Sequence, residues 1–577
     1  MTTVAEQLVR TLREAGVQRV YGVVGDSLNP VVDAIRRIDG IEWVHVRHEE
    51  TAAFAAAAEA QITGRLAVCA GSCGPGNLHL INGLYDAHRS GAPVLAIASH
   101  IPSEQIGTGY FQETHPDRLF LECSHFCELL SEPGQMPRML RMAMQTAVGR
   151  GGVSVLVVPG DVAEEETDGP AVAPVQLVEP SPVVPRPEQV EALAGALNDA
   201  EKVMLFCGAG CRDAHAEVME LASLLQAPVG HSLGGKEWIQ YDNPYDVGMS
   251  GLLGYGACYD AMHEADRIVL LGTDFPYDDF LPQARTVQVD VDPARLGRRT
   301  PLDVAVHGDV AATIRAVTPL LRRRTDRSYL DRMLREHARK LERVVSAYTT
   351  DIENRTPIHP EYVAAVLDDV AAEDAVFTVD TGMGNVWAAR YLTPNGRRRV
   401  IGSFRHGSMA NALPHAIGAQ LAAPGRQVVS ISGDGGLSML MGDLLTLAVS
   451  RIPVKVVVFN NASLGMVRLE MLVAGFPDHG TDNSHVDYSA IAAACGIPSV
   501  RVEKPAEVRA GLAETFARPG PALVELVTDP NALSMPPKVT AAQVRGFARA
   551  MGRTVLDGGV GKMALMARSN LRNIPRP

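Results

Sequence analysis

Apolar residues in this chain come in short uninterrupted runs, each ending in small or polar residues and set apart from the next by a stretch with helical spacing. Val20 to Val23, Trp43 to Val46 and Val153 to Val158 read as strands, with helices at Val4 to Ala15 and at the alanine-rich Ala52 to Ala60. The alternation resumes with helix Val190 to Leu197 and strands Val203 to Cys207, Arg267 to Leu271 and Thr286 to Val291. It recurs with strands Ala375 to Val379, Val428 to Ser432 and Val454 to Phe459, the last two joined by a helical crossover from Leu440 to Val449. Continuous apolar strands alternating with helices are buried on both faces, which predicts α/β units on doubly wound parallel sheets.

Breaks in this rhythm set the expected domains at residues 1–180, 181–335 and 336–536, with a tail at 537–577. The first break is the Pro/Glu-rich Asp161 to Gln189, which reads as an exposed linker. The second is the polar helical stretch Ser328 to Tyr348, which leads to the third unit near His359. At 577 residues, 46% of them hydrophobic, the chain can fill the cores of about three or four domains. The first and third units have similar size and layout.

A formal net charge of -13 argues against a general nucleic-acid surface, so no nucleic-acid partner is expected. No secretory h-region precedes the first helical pattern and no apolar stretch reaches the roughly 18 residues of a membrane span, so the body is expected in the cytoplasm. Eight cysteines in so long a chain do not make a disulfide framework. Cys69/Cys73, Cys123/Cys127 and Cys207/Cys211 repeat one gap and read as small buried hydrophobes.

Candidate chemistry sits where apolar strands end. One strand delivers Gly433-Asp434-Gly435 and the next delivers Asn460-Asn461. Glycines let the backbone close tightly. A carboxylate from Asp434, an amide oxygen from Asn461 and a backbone carbonyl near Ser463 are hard oxygen ligands for Mg²⁺, whose shell a diphosphate would complete. In a parallel sheet these strand ends share the carboxyl edge, where α/β proteins bind ligands. Far upstream, Glu49 stands between a strand and the alanine-rich helix. A carboxylate held in an apolar pocket there has its pKa raised toward neutrality and is suited to proton exchange. Glu50 reads as a helix-end residue.

The chain resembles the thiamine-diphosphate enzyme superfamily, and within it the bacterial FAD-dependent pyruvate oxidases, or pyruvate dehydrogenases (quinone). The likeness runs through Gly22 to Asn29 (GVVGDSLN), Arg47-His48-Glu49-Glu50, Cys69 to Leu84 (CAGSCGPGNLHLINGL), Gly109 to Pro116 (GYFQETHP), Asp242 to Gly248 (DNPYDVG) and His406 to Asn411 (HGSMAN). It implies three domains that bind, in order, the thiamine pyrimidine, FAD, and the diphosphate with Mg²⁺. By this resemblance Glu49 exchanges a proton with the aminopyrimidine, and Met409, beside Ser408, props the two thiamine rings into a V. The loop Asp380-Thr381-Gly382-Met383-Gly384 approaches the diphosphate or ring edge, and Gly433, Asp434, Gly435, Asn461 and Ser463 make the diphosphate and metal site. Phe111, Gln112 and His115 would enclose the cofactor and flavin edges, with His88 a further polar contact. Met466 stands where relatives carry an aromatic, which bears on electron transfer to the flavin.

Taken as residues alone, the middle unit offers only turns at strand ends. These are Gly208-Ala209-Gly210, Ser250-Gly251-Leu252-Leu253-Gly254 and Gly272-Thr273-Asp274-Phe275-Pro276-Tyr277, none of them a strict GxGxxG fingerprint. Their order is similar to that of the flavin-containing relatives, and the resemblance implies an FAD site in which Asp290 or Val291 meets the nucleotide end.

The implied activity is oxidative decarboxylation of pyruvate to acetate and carbon dioxide through hydroxyethyl-thiamine diphosphate, with electrons passed by FAD to a membrane quinone. Acetolactate synthase and phosphate-dependent pyruvate oxidase are the alternatives. The resemblance also implies a homo-oligomer, a tetramer, whose sites are shared between subunits. From Ala541 to Pro577 the acidic chain reverses character: Arg545, Arg549, Arg553, Lys562, Arg568, Arg572 and Arg576 face only Asp557. Phe547, Met551 and Val555 recur every four residues. This is the pattern of an amphipathic segment drawn to an anionic lipid surface at the cytoplasmic face of the membrane. A helix packed permanently on the acidic body is the other reading of the same pattern.

Overall fold

A computed structural model describes residues 2–167, 175–350 and 352–532, together with Arg545, Arg549, Ala550, Leu565, Met566 and 568–570. The first unit carries a six-stranded parallel sheet in the order Glu42–His45, Arg19–Gly22, Ala67–Gly71, Val94–His100, Val153–Pro159, Phe126–Leu129. The third carries another, in the order Arg399–Gly402, Val376–Val379, Val428–Gly433, Lys455–Asn460, Ala522–Val527, Ser499–Val502. Counted in chain order within each unit, both sheets run 2-1-3-4-6-5. The similarity of layout expected from the sequence therefore extends to identical strand order.

The central sheet has seven strands: Tyr255–Gly256, Asp246–Met249, Val229–His231, Val203–Cys207, Arg267–Leu271, Arg285–Asp290 and Val304–His307. All neighbours are parallel except the edge strand Tyr255–Gly256, which returns antiparallel to its neighbour. From Val203–Cys207 the chain first adds strands on one side and then crosses to Arg267–Leu271 on the other. A crevice opens at such a reversal, outside the carboxyl ends of the strands.

The polar helix, observed at Ser328–Arg343, differs from expectation. It belongs to the central unit, where Tyr329 and Met333 pack with Met204 and Phe206, and Tyr329 OH donates to the Ala261 carbonyl at 2.5 Å. The boundary expected at 335 thus falls inside a helix whose apolar stripe is already buried. Most of the tail, 537–577, lies outside the described residues. None of the described helices is long and apolar enough to cross a membrane.

The alanine-rich helix, observed at Glu49–Thr63, carries alanines on every side and is buried along most of its length, as a helix enclosed by others must be. On one side lies helix Pro75–Ser90, with Gly83 against it. A Cβ at Gly83 would come within 2.6 Å of Ala53 Cβ. On the other side lies helix Ala412–Ala422 of the third unit, where a Cβ at Gly418 would stand 1.9 Å from the Ala55 carbonyl oxygen. Small residues bring these backbones together and join the first unit to the third.

Gly418→Ala should therefore force the helices apart and lower the urea midpoint by the equivalent of about 1–3 kcal/mol, the usual cost of overpacking a core. Gly425→Ala, with open space around the added methyl, should leave the midpoint unchanged. Equal midpoints for the two variants would refute the close-packing account.

Candidate functional site

Strand Val428–Gly433 runs directly into helix Asp434–Leu440, with Gly433 as its cap. Asp434 and Gly435 are thus the first helical residues, and the crossover begins there rather than at Leu440. Asp434 is buried, its Oδ2 accepting from Asn483 Nδ2 at 3.0 Å and its carbonyl from Tyr488 OH at 3.0 Å. Burial holds its pKa above the ordinary carboxylate value despite hydrogen bonds from Asn483 and from backbone amides including that of Asn461. Asn461 Oδ1 accepts from the Ser463 amide at 3.0 Å. Between them Ala462 takes a φ of 53°, a left-handed conformation that costs energy in a residue with a Cβ and gathers at functional sites.

A neighbouring strand, Val376–Val379, ends at Asp380, whose Oδ1 accepts from the Thr381 amide at 3.0 Å and from Asn411 Nδ2 at 3.2 Å. Burial pushes the pKa of Asp380 up to about 7. Gly382 caps the next helix, Met383–Tyr391. Gly382, Met383, Trp387, Met409, Gly433, Asp434, Gly435, Asn461, Ser463 and Asp529 are among the residues that line one pocket.

A second cluster lies in the first unit. Glu49 is buried as the first residue of its helix, and His48 caps that helix by accepting from the Glu50 amide at 3.2 Å. Glu49 Oε2 lies 2.9 Å from His79 Nδ1, and the His79 ring stacks on His48 with centroids 4.3 Å apart. His79 rides on helix Pro75–Ser90, which begins at Gly74 with a φ of 65°. Gln112 presses on that turn, since a Cβ at Gly74 would meet the Gln112 carbonyl oxygen at 2.7 Å. Its Oε1 also accepts from Cys73 Sγ at 3.4 Å.

In the central unit Gly210 and Gly272 meet at the crevice. The Gly210 amide donates to the Gly272 carbonyl at 2.9 Å, and a Cβ on either would come within 2.6 Å of the other's Cα. Only glycine fits at both. Next to them Thr273 is buried, and Asp274 pairs with Arg298 at 2.9 Å and Arg299 at 3.4 Å. The hairpin loop Ser250 to Gly254 bridges to the third unit. A Cβ at Gly251 would stand 3.3 Å from Phe275 and Tyr277, Leu253 packs near Ala389, and the Gly254 carbonyl accepts from Arg390 at 3.1 Å.

Three family models match this chain: the thiamine pyrophosphate enzyme N-terminal TPP binding domain over residues 2–119, the central domain over 190–317 and the C-terminal TPP binding domain over 380–526. The Bacillus subtilis protein YdaP is 35% identical over 98% of both chains. The chain belongs to the thiamine pyrophosphate enzyme family. A pyruvate oxidase of Lactiplantibacillus plantarum is 30% identical over 86% of this chain and 83% of its own. An acetolactate synthase large subunit of Parasynechococcus marenigrum is 32% identical over 90% and 87%.

The residues of this thiamine pyrophosphate enzyme suit the cofactor. Ser463 Oγ and Asp380 Oδ2 are buried without a hydrogen-bond partner, although buried polar groups rarely stay unpaired. No atom lies within 4 Å of where a Gly433 Cβ would stand, and a Cβ at Gly436 would overlap Asp380 Oδ2 at 1.6 Å. An anionic carboxylate and an amide oxygen beside unsatisfied groups form a donor set for a diphosphate held through Mg²⁺. At the central crevice the residues that would meet an FAD are the close-packed Gly210 and Gly272 turns, with Arg298 and Arg299, both paired with Asp274, beside them.

The fold brings Gly382, Met409, Gly433, Asp434, Gly435, Asn461 and Ser463 into one pocket, with Asp380 against Gly436 behind it, but Glu49 does not line that pocket. Ser408 turns to the first unit, where its Oγ accepts from Asn82 Nδ2 at 2.8 Å. Phe111 is 79% exposed and His115 is exposed. His88 must be corrected: it sits nine residues beyond His79, about 13 Å along the helix, against His125 and Gly152 and away from Glu49. Its burial pushes its pKa down to about 4. Phe275 is corrected too, because its ring packs on Phe206 inside the central core and only its backbone is left for a ligand. Leu252, Pro276, Tyr277 and Val291 stay exposed, whereas Asp290 is buried and accepts from the Asp292 amide at 2.9 Å. The eight cysteines are free, and seven of them are buried.

Sequence reasoning missed His79, Asn483, Arg298 and Arg299. His79 lay inside a quoted motif without a partner in view. The others come from loops whose approach to the strand ends has no periodic signal.

Proposed function

We propose that this enzyme decarboxylates pyruvate oxidatively to acetate and carbon dioxide, with FAD in the central unit taking the electrons and passing them to a membrane quinone. Helix Met383–Tyr391 carries this reading. Met383 and Trp387 line the thiamine pocket, and Ala389 and Arg390 hold the loop Ser250 to Gly254, which also touches Phe275 and Tyr277 beside the central crevice. The pocket and the crevice thus share a wall, an arrangement suited to passing electrons between them. When bound, thiamine diphosphate supplies the electron sink for decarboxylation and FAD the two-electron acceptor.

The chain's own groups have distinct tasks in this reading. Asp434 and Asn461 hold the cation, Met409 fills the space against the cofactor rings, and Glu49 exchanges a proton with the pyrimidine. A buried carboxylate is suited to that exchange. In this reading the site closes between two copies of the chain and two such pairs make the tetramer; that Glu49 does not line the pocket of Asp434 supports it. Acetolactate synthesis is the second reading, favoured by the relative of that name at 32% identity.

Described residues of the tail pack at the rim of the pocket. Ser569 Oγ donates to Asp529 Oδ2 at 2.6 Å, Asn570 Nδ2 donates to the Asn531 carbonyl at 2.8 Å, and Met566 and Ala550 rest on Leu472. These described residues are packed on the third unit. In the proposal the basic face of the tail leaves the body for anionic lipid at the cytoplasmic face of the membrane, where quinone is reached.

Under anaerobic conditions pyruvate should bleach the flavin rapidly and yield acetate; acetolactate without flavin reduction would overturn the oxidase reading. Co-expressed Glu49→Gln and Asp434→Ala chains, each inactive alone, should recover roughly a quarter of wild-type turnover, since half of the pairs are hybrids with one intact site of two. No recovery, with hybrids shown to form, would place each site within one chain. Deleting residues 541–577 should abolish sedimentation with anionic vesicles in the presence of pyruvate while preserving activity with a soluble acceptor. Equal sedimentation of the full and shortened chains would sink the membrane role of the tail.

A further inference from the structure

The closest polar contact of Glu49 has no role in the reading above. His79 Nδ1 lies 2.9 Å from Glu49 Oε2, yet the His79 side chain is 45% exposed whereas Glu49 is buried. The ring is held from two directions: by the carboxylate at Nδ1 and by stacking on His48, whose own Nδ1 is occupied by the Glu50 amide. It sits one turn into helix Pro75–Ser90, whose cap Gly74 is pinned by Gln112. A buried carboxylate bonded to a half-exposed imidazole of fixed orientation has a path for protons that a carboxylate enclosed by apolar groups lacks.

We propose that His79 is the positioning and proton-transfer partner of Glu49, linking that buried carboxylate to solvent. The inference rests on the reading of Glu49 as the acid that serves the thiamine pyrimidine. With Glu49 ionised, the neutral ring donates Nδ1–H to Oε2 and fixes the carboxylate rotamer. To protonate Glu49, the Nδ1 proton passes to Oε2 while Nε2 takes a proton from solvent water. The imidazole changes tautomer and one proton has moved from solvent to carboxylate. The reverse sequence returns it, and no oxidant or other reactant is needed. Other charged or titratable groups around the pair are His48 in the stack, Glu50, which accepts from Asn82 Nδ2 at 2.7 Å, Arg47, and Asp443, which accepts from the Arg47 amide at 2.9 Å and from Thr51 Oγ1 at 2.7 Å. Asp443 acts electrostatically on His48.

The test compares His79→Ala and His79→Gln with the wild type without using pyruvate. Calorimetry of thiamine diphosphate and Mg²⁺ binding to cofactor-free protein, in two buffers of different ionisation heat, gives the protons exchanged on binding. The rate at which the bound cofactor exchanges its C2 proton with D₂O reads the proton path. FAD content checks the fold. His79→Ala should exchange about 100-fold more slowly, the lower end of what a general acid or base contributes, with a flattened profile over roughly pH 5–8 and partial rescue by added imidazole. His79→Gln, whose amide still donates to Glu49, should keep wild-type cofactor affinity but remain slow, and both variants should alter the calorimetric proton count. Wild-type exchange rates and proton counts in His79→Ala, or full recovery of rate in His79→Gln, would overturn the proposal. If the wild type behaves as expected here but makes no acetate from pyruvate, the oxidase reading fails and the role of His79 stands.

Discussion

The structure depends on the backbone-to-backbone packing of one alanine-rich helix. Glu49–Thr63 is enclosed by Pro75–Ser90 of its own unit and Ala412–Ala422 of the third, and Gly83 and Gly418 permit approaches that no side chain could share. Interiors this dense transmit position with little slack. The first residue of that helix is Glu49, so the packing that joins two units also sets where the carboxylate stands. The interface has a polar thread as well. His415 Nδ1 lies 3.0 Å from Asn411 Oδ1 and its Nε2 lies 3.2 Å from the buried Asp86, while Asn411 donates to Asp380. A buried charge without a partner is costly, so this thread favours one register of the two units over others.

One local device recurs at three strand ends. A buried strand stops, a glycine turns the chain, and a helix begins, as at Gly74 before Pro75, Gly382 before Met383 and Gly433 before Asp434. The carboxyl edge of a parallel sheet then presents helix starts whose free amides favour anions. Two units with the same strand order supply two such edges. One holds a carboxylate beside an imidazole and the other a carboxylate beside an amide. The central unit contributes a third edge at its own reversal of strand order, and the loop Ser250 to Gly254 ties that edge to the second.

Much of this was legible in the amino-acid sequence, for identifiable reasons. Strands buried on both faces are continuous apolar runs, so the three α/β units and three strands of each could be read directly. The pairing of Gly433-Asp434-Gly435 with Asn460-Asn461 could be read because two consecutive parallel strands must end side by side. Tertiary packing decided the rest. It set Phe275 in the core instead of the crevice and His88 nine residues beyond His79 along their helix, away from Glu49, because exposure along a helix or loop depends on what covers it. It chose His79 as the neighbour of Glu49 and Asn483 as the neighbour of Asp434, since hydrogen bonds between segments 30 and 49 residues apart carry no local pattern. It also allotted helix Ser328–Arg343 to the central unit. The periodicity of a chain states which residues will be buried, whereas which buried groups meet is settled only when the elements close on one another.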